Sequence, residues 1–98
     1  MFKELDPLLH SQLRLAVISI LASAEQADFN CLKQETGASS GNLSIQLNKL
    51  KEAGYISMKK RFRGNYPQTV CRITPVGLER FAAYIDTLQE YLRDPGRN

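Results

Sequence analysis

Two strand-like segments interrupt an otherwise helical chain, and this change of pattern restricts the fold more than any other feature of the sequence. Residues 55–62 and 68–73 are rich in aromatic and β-branched side chains with alternating polarity, which is typical of half-buried strands. Residues 63–67 between them include glycine, asparagine and proline, which favour a hairpin loop. The sequence therefore predicts an antiparallel two-stranded hairpin between helical regions.

Three helices are predicted before the hairpin, and each has a recognisable start. Asp6-Pro7 begins the first, because aspartate accepts from free terminal amides and proline loses no helical hydrogen bond there. Asp28 begins a short second helix that ends at Gly37. The serines that follow begin a third helix, which ends at Gly54 and turns leucines 43, 47 and 50 inward.

The last helix begins at Thr74-Pro75 and carries a long apolar stripe. Its apolar side chains are separated by steps of 3, 4, 3 and 4 residues, the spacing of a coiled-coil seam. The single core of a 98-residue chain needs less apolar helix surface than this stripe provides. The first helix is also apolar on most of its circumference. We therefore expect a two-fold dimer, although packing of both helices on their own domain is the alternative. The predicted interface residues are Leu13, Val17, Leu78, Phe81, Ile85, Leu88 and Leu92.

The basic excess of the chain lies entirely in the hairpin region. The formal net charge is only +3, but five cationic residues and no acidic residue lie between Glu52 and Glu79. The segments before and after this stretch are each slightly acidic. Such a distribution is expected when one face meets an anionic partner, and a solvated strand pair without a partner is the alternative.

Several short motifs follow one another in this order of elements. They are Thr36-Gly37, Gly41-Asn42-Leu43-Ser44, Leu47 to Ile56, Pro67-Gln68-Thr69 and Ile73-Thr74-Pro75-Val76-Gly77. Together they resemble the small stand-alone winged-helix transcriptional regulators related to the MarR and ArsR groups, and the resemblance extends from about Leu5 to Leu92. Two positions depart from the family pattern, since Lys51 replaces a commonly acidic residue and Asn65 an often basic one.

The resemblance implies an α+β, mainly α, fold: a winged helix-turn-helix with a two-stranded β-hairpin wing and a long C-terminal dimerisation helix. Residues 1–93 would form this domain and residues 94–98 a polar tail. In that family a homodimer grips duplex DNA, with the third helix in the major groove and the wing on the backbone or minor groove. We therefore expect a sequence-specific regulator on a pseudo-palindromic operator. An adaptor that binds another protein, without specific DNA binding, is the alternative.

The outward face of the third helix has the side chains that DNA reading requires. Asn42 suits a bidentate pair with adenine, and Ile45 suits contact with a thymine methyl group. An ordinary solvated helix face is the alternative, but an isoleucine at its centre argues against it. The predicted DNA-binding residues are Ser39, Ser40, Gly41, Asn42, Ser44, Ile45, Asn48 and Lys49 on the helix and Lys59, Arg61, Arg63 and Asn65 on the wing.

Alternation along the first wing strand separates a cationic face from a packed one. Lys59 and Arg61 lie on one face, and Ile56 and Met58 on the other, which we expect to pack inward. Tyr66, near the turn, is expected to be a packed loop aromatic, and stacking on a base is the alternative.

No motif in the sequence indicates an enzyme, a metal site or a bound cofactor. Cys31 and Cys71 lack ligand spacing and are expected to be small buried hydrophobes, and His10 is expected to lie at a surface or interface. The longest apolar run is too short to span a membrane and no signal-type segment begins the chain. We therefore expect a cytoplasmic homodimer that binds double-stranded DNA and no membrane, with any small-molecule effector unidentified.

Overall fold

Four helices and three strands make up the computed structural model, which describes residues 2–93. The strands form one antiparallel sheet in the order β1-β3-β2, and this mainly helical α+β arrangement confirms the predicted fold class. The predicted tail, residues 94–98, lies outside the described residues. No helix within residues 2–93 has both the length and the apolar content needed to cross a membrane. The elements are α1 (Gln12–Ala24), β1 (Gln26–Asp28), α2 (Phe29–Thr36), α3 (Ser40–Glu52), β2 (Ile56–Arg63), β3 (Tyr66–Ile73) and α4 (Pro75–Leu92).

The first helix begins later than predicted, because Asp6 stabilises a separate turn. Its Oδ1 accepts from the Leu8 amide at 2.9 Å, and its backbone carbonyl accepts from the His10 amide at 2.8 Å. Ser11 is extended, with a φ of −151°, and separates this turn from α1. The other carboxylate oxygen of Asp6 accepts from the Tyr55 hydroxyl, so a tertiary contact fixes the turn.

The predicted caps of α2 and α3 are confirmed. Asp28 Oδ1 accepts from the Cys31 amide at 2.7 Å, and Ser39 Oγ accepts from the Asn42 amide at 3.1 Å. Gly37 ends α2 in the left-handed conformation, with a φ of 71°, which a glycine adopts without strain. The two helices are therefore joined by a short connection whose geometry both ends determine.

The sheet has a third strand that the sequence pattern did not predict. β1 has only three residues and pairs with β3 through Ala27 and Cys71, so it is too short to show alternation. β2 begins and ends one residue later than predicted, and β3 begins two residues earlier, so that their pairing reaches Arg63 and Tyr66. The turn is therefore only Gly64-Asn65, and the φ of 65° at Gly64 fits the first position of a type II′ hairpin.

The core lies between the helices and one face of the sheet. Leucines 43, 47 and 50 of α3 are fully buried, as predicted, and Ile56 and Cys71 join them from the sheet. Burial raises the pKa of the Cys71 thiol to about 11. The prediction that Cys31 is also buried is wrong: α2 turns its neighbour Leu32 inward and leaves Cys31 exposed.

The start of α4 is packed tightly against the segment that follows α3. Thr74 caps α4 as predicted: its hydroxyl accepts from the Gly77 amide at 3.0 Å and donates to the Gly54 carbonyl at 2.6 Å. A Cβ atom added to Gly77 would lie 2.2 Å from the Tyr55 carbonyl oxygen. Only glycine fits at this position without displacing the backbone.

Candidate nucleic-acid interface

The outward face of α3 is the first part of the candidate site. Ile45 lies in the middle of this face with 55% of its surface exposed, and the residues around it are polar or cationic. Because a separate set of leucines fills the core, this face is free to enter a groove without disturbing the domain. The predicted contact residues on α3 and its cap are all exposed: Ser39, Ser40, Gly41, Asn42, Ser44, Ile45, Asn48 and Lys49.

A chain of hydrogen bonds connects Asn42 to α1. Its Oδ1 accepts from Gln46 Nε2 at 3.1 Å, and Gln46 Oε1 accepts in turn from the Arg14 guanidinium of α1. Arg14 is itself fixed, because its Nε donates to the Leu8 carbonyl at 2.6 Å. A side chain that is ordered before binding loses less entropy when it binds. The sequence interpretation missed Gln46 and Arg14; only the four-residue spacing of Asn42 and Gln46 signalled part of this chain.

The wing, here defined as β2, β3 and the turn between them, is the second part of the site. Ile56 is buried and Met58 half-buried, as the alternation predicts. The predicted wing contacts Lys59, Arg61, Arg63 and Asn65 are all exposed.

The prediction that Tyr66 is a packed loop aromatic is wrong. Tyr66 is the first residue of β3, opposite Arg63 at the end of the hairpin. The two-residue turn extends both strands beyond the core, so 79% of the Tyr66 surface is exposed, and Phe62 nearby is 76% exposed. The wing tip therefore combines cationic and aromatic side chains.

A second chain of hydrogen bonds positions Arg61. Its Nε donates to Gln68 Oε1 at 3.2 Å, and Gln68 Nε2 donates to Asp28 Oδ2 at 2.6 Å. Hydrogen bonds from the Cys31 amide and from Gln68 lower the pKa of Asp28, and the charges of Arg63 and Arg61 contribute further. Asp28 therefore links the start of α2 to the wing. Neither Asp28 nor Gln68 was predicted to take part in the site, because β1 brings them together.

The predicted apolar stripe of α4 is divided between two faces. Phe81 and Leu88 pack against the core of their own chain. Leu78, Ile85 and Leu92, which we call the α4 ridge, are 46%, 37% and 77% exposed. Ridge residues are seven positions apart, so they lie in a line along one side of the helix.

Two α1 residues that were predicted to lie in the dimer interface pack against the core of their own chain. Val17 has no exposed surface within the single chain, because it belongs to the core. Leu13 is half-buried and packs against the same core. The exposed apolar surface therefore comes from α4 rather than from Val17.

Comparisons with known proteins agree with this architecture. A family profile described as "Winged helix DNA-binding domain" matches residues 13–92. An uncharacterised protein of Methanocaldococcus jannaschii is 33% identical over 76 residues, which cover 78% of this chain and 83% of that protein.

Two solved structures illustrate the similarity of fold. The transcriptional regulator homologue protein from Pyrococcus horikoshii superposes with a TM-score of 0.82 at 24% identity, covering 87% of this chain and 84% of that one. A MarR-family transcriptional regulator from Silicibacter pomeroyi gives a TM-score of 0.66 at 17% identity, covering 85% and 55% respectively.

Proposed function

The chain belongs to the winged helix DNA-binding domain family, and we propose on that basis that it is a transcriptional regulator that binds a pseudo-palindromic DNA operator as a homodimer. The observation that carries the proposal is the exposed, groove-sized face of α3 beside an acid-free wing. An α-helix fits the major groove of B-DNA, where each base pair presents its own pattern of donors, acceptors and methyl groups. In this arrangement α3 reads bases and the wing contacts phosphates or the minor groove.

On α3, the three central side chains have different roles in the proposal. Asn42 pairs with an adenine edge, and its fixed carboxamide limits the positions from which it can do so. Ile45 contacts a thymine methyl group, which accounts for an aliphatic side chain at the centre of a polar face. Lys49 reaches a phosphate or a guanine.

On the wing, the proposal assigns Lys59 and Arg61 to phosphates and Arg63 to the minor groove. Narrow minor grooves have an enhanced negative potential that attracts arginine. Arg61 is held by Gln68, so its guanidinium is ordered before DNA arrives.

The homodimer is proposed from the α4 ridge. A line of exposed apolar side chains along an 18-residue helix is removed from water when two copies pack along it. A two-fold axis there presents two α3 helices to one face of the duplex, about 34 Å apart, the length of one helical turn of DNA.

Selection of binding sites from genomic fragments, followed by fluorescence anisotropy titration of the selected duplex at several salt concentrations, tests the proposal. We expect saturable binding whose affinity falls steeply with salt. Arg61→Ala and Arg63→Ala each reduce both the affinity and the salt dependence, whereas Arg93→Ala at the far end of α4 leaves both unchanged.

Two results contradict the proposal. One is the absence of any enriched duplex, or an affinity that neither wing variant changes. The other is recovery of a stoichiometric protein partner together with no preference among DNA fragments, which supports the adaptor function instead.

A further inference from the structure

The outer face of the sheet holds a cationic cavity that the proposed DNA contacts explain only in part, because Lys59 and Arg61 belong to those contacts and Arg72 does not. The cavity has a volume of about 250 Å³, and none of its lining residues is acidic. Ser57 and Gln26 supply a hydroxyl and a carboxamide, and Val70, only 7% exposed, lies beneath them. Four cationic residues complete the lining: Lys59, Lys60, Arg61 and Arg72. By strand alternation, the side chain of Lys60 belongs to the opposite face of β2.

Strand register explains why these side chains meet. Ser57 pairs with Arg72, Lys59 with Val70, and Arg61 with Gln68. Alternate residues of a strand point to the same face of a sheet, so these three pairs form successive rows on one face. Arg72 and Arg61 therefore lie on the same face as Val70, one row to each side of it.

Both arginines are oriented by uncharged partners. Arg72 Nη1 donates to Gln26 Oε1 at 2.9 Å, and Arg61 Nε donates to Gln68 Oε1 at 3.2 Å. A carboxamide oxygen fixes a guanidinium without adding a negative charge, whereas a carboxylate would offset the charge that attracts an anion. Both guanidinium groups are thus ordered, although the Asp28 carboxylate, which accepts from Gln68, partly offsets the charge of Arg61.

We propose that this cavity binds a phosphate group. Guanidinium groups bind phosphate oxygens through pairs of N–H donors, and Lys59 and Ser57 add further donors. The phosphate belongs either to the DNA backbone outside the segment read by α3 or to a free phosphate ester. For a free ester, the volume of the cavity lies near the lower limit of small-ligand sites. If the phosphate is that of the DNA backbone, the inference rests on the function proposed above. If it is that of a free ester, the inference does not depend on that function.

Titration of the full chain with pyrophosphate, followed by backbone amide NMR, tests the cavity itself. We expect saturating shifts confined to Gln26 and to residues 57–61 and 70–72. Arg72→Gln weakens binding about tenfold, the loss expected for one charge-assisted hydrogen bond. Arg93→Gln, an equal charge change at another exposed position, does not.

Anisotropy titration of a selected duplex, with and without one extra turn of flanking DNA, identifies the source of the phosphate. If the backbone supplies it, Arg72→Gln removes the affinity gained from the flanks and lowers the salt slope by about 0.9 for each phosphate that is no longer neutralised. If a free ester supplies it, Arg72→Gln impairs pyrophosphate binding and leaves DNA binding unchanged.

The inference is overturned if Arg72→Gln changes neither titration, or if pyrophosphate shifts are no larger at the cavity than around Lys33 on α2. If the wild-type chain binds no duplex, the proposed function fails while the pyrophosphate titration still decides whether the cavity is an anion site.

Discussion

At the scale of single residues, the proposed DNA contacts depend on neighbouring side chains that hold them in position. Asn42 is held by Gln46, and Arg61 by Gln68. The exposed residues Asn42, Ile45 and Arg61 were predictable from the sequence, because helix and strand periodicities identify the outward side chains. Their supporting partners were not, because three-dimensional packing brings α1, β1 and β3 to them.

Gln68→Ala is expected to weaken duplex binding several-fold by releasing the Arg61 guanidinium. The expected loss of binding free energy is that of one hydrogen bond, about 1 kcal/mol. This loss occurs only when Arg61 is present. A double-mutant cycle in the anisotropy assay checks this: in an Arg61→Ala background, Gln68→Ala has little further effect. Equal losses in both backgrounds would show that Gln68 acts independently of Arg61.

The lowered pKa of Asp28 predicts a pH-dependent stability. The folded state holds this pKa below its ordinary value, so the ionised carboxylate stabilises the fold above the unfolded pKa of about 3.9. This contribution is lost as the pH falls through the folded pKa. Urea unfolding at a series of acidic pH values is therefore expected to show a weaker pH dependence for Asp28→Asn, which retains a good N-cap residue. Identical pH dependence in both chains would contradict the assignment.

At the scale of elements, local signals predicted most of the architecture. The capping residues Asp28, Ser39 and Thr74 each bond an amide only a few residues away, so the predicted starts of α2, α3 and α4 are correct. The start of α1 was wrong because the Asp6 turn is fixed by Tyr55, which is distant in sequence. β1 was missed because it exists only through pairing with β3.

Gly77→Ala is expected to destabilise the fold by about 2 kcal/mol or more, because its new methyl group meets backbone rather than a mobile side chain. Gly41→Ala is the matched control: its Cβ has no neighbour within 4 Å, and alanine raises helix stability by about 0.5–1 kcal/mol. Chemical denaturation measures both, and a Gly77→Ala midpoint at or above the wild-type value would refute the close contact.

At the scale of the whole molecule, the α4 ridge determines the proposed assembly. Ile85→Glu places a charge in the centre of the ridge without entering the core, since 37% of Ile85 is exposed. We expect a folded monomer in analytical ultracentrifugation and much weaker operator binding.

Ala83→Glu is the control for this variant, since it adds the same charge to α4 at an exposed position on another side of the helix. It is expected to leave the dimer intact. A wild-type chain that sediments as a monomer throughout the accessible concentration range would rule out the proposed interface.

The junction between the wing and α4 has a consequence for the DNA. Only Thr74 separates β3 from α4, and the close packing of Gly77 against the Tyr55 carbonyl restricts bending at this junction. In a dimer built on α4, the distance between the two reading helices is therefore set by the protein and not by a flexible linker. Operators with one or two base pairs inserted between their half-sites are expected to lose affinity even when every contacted base is retained.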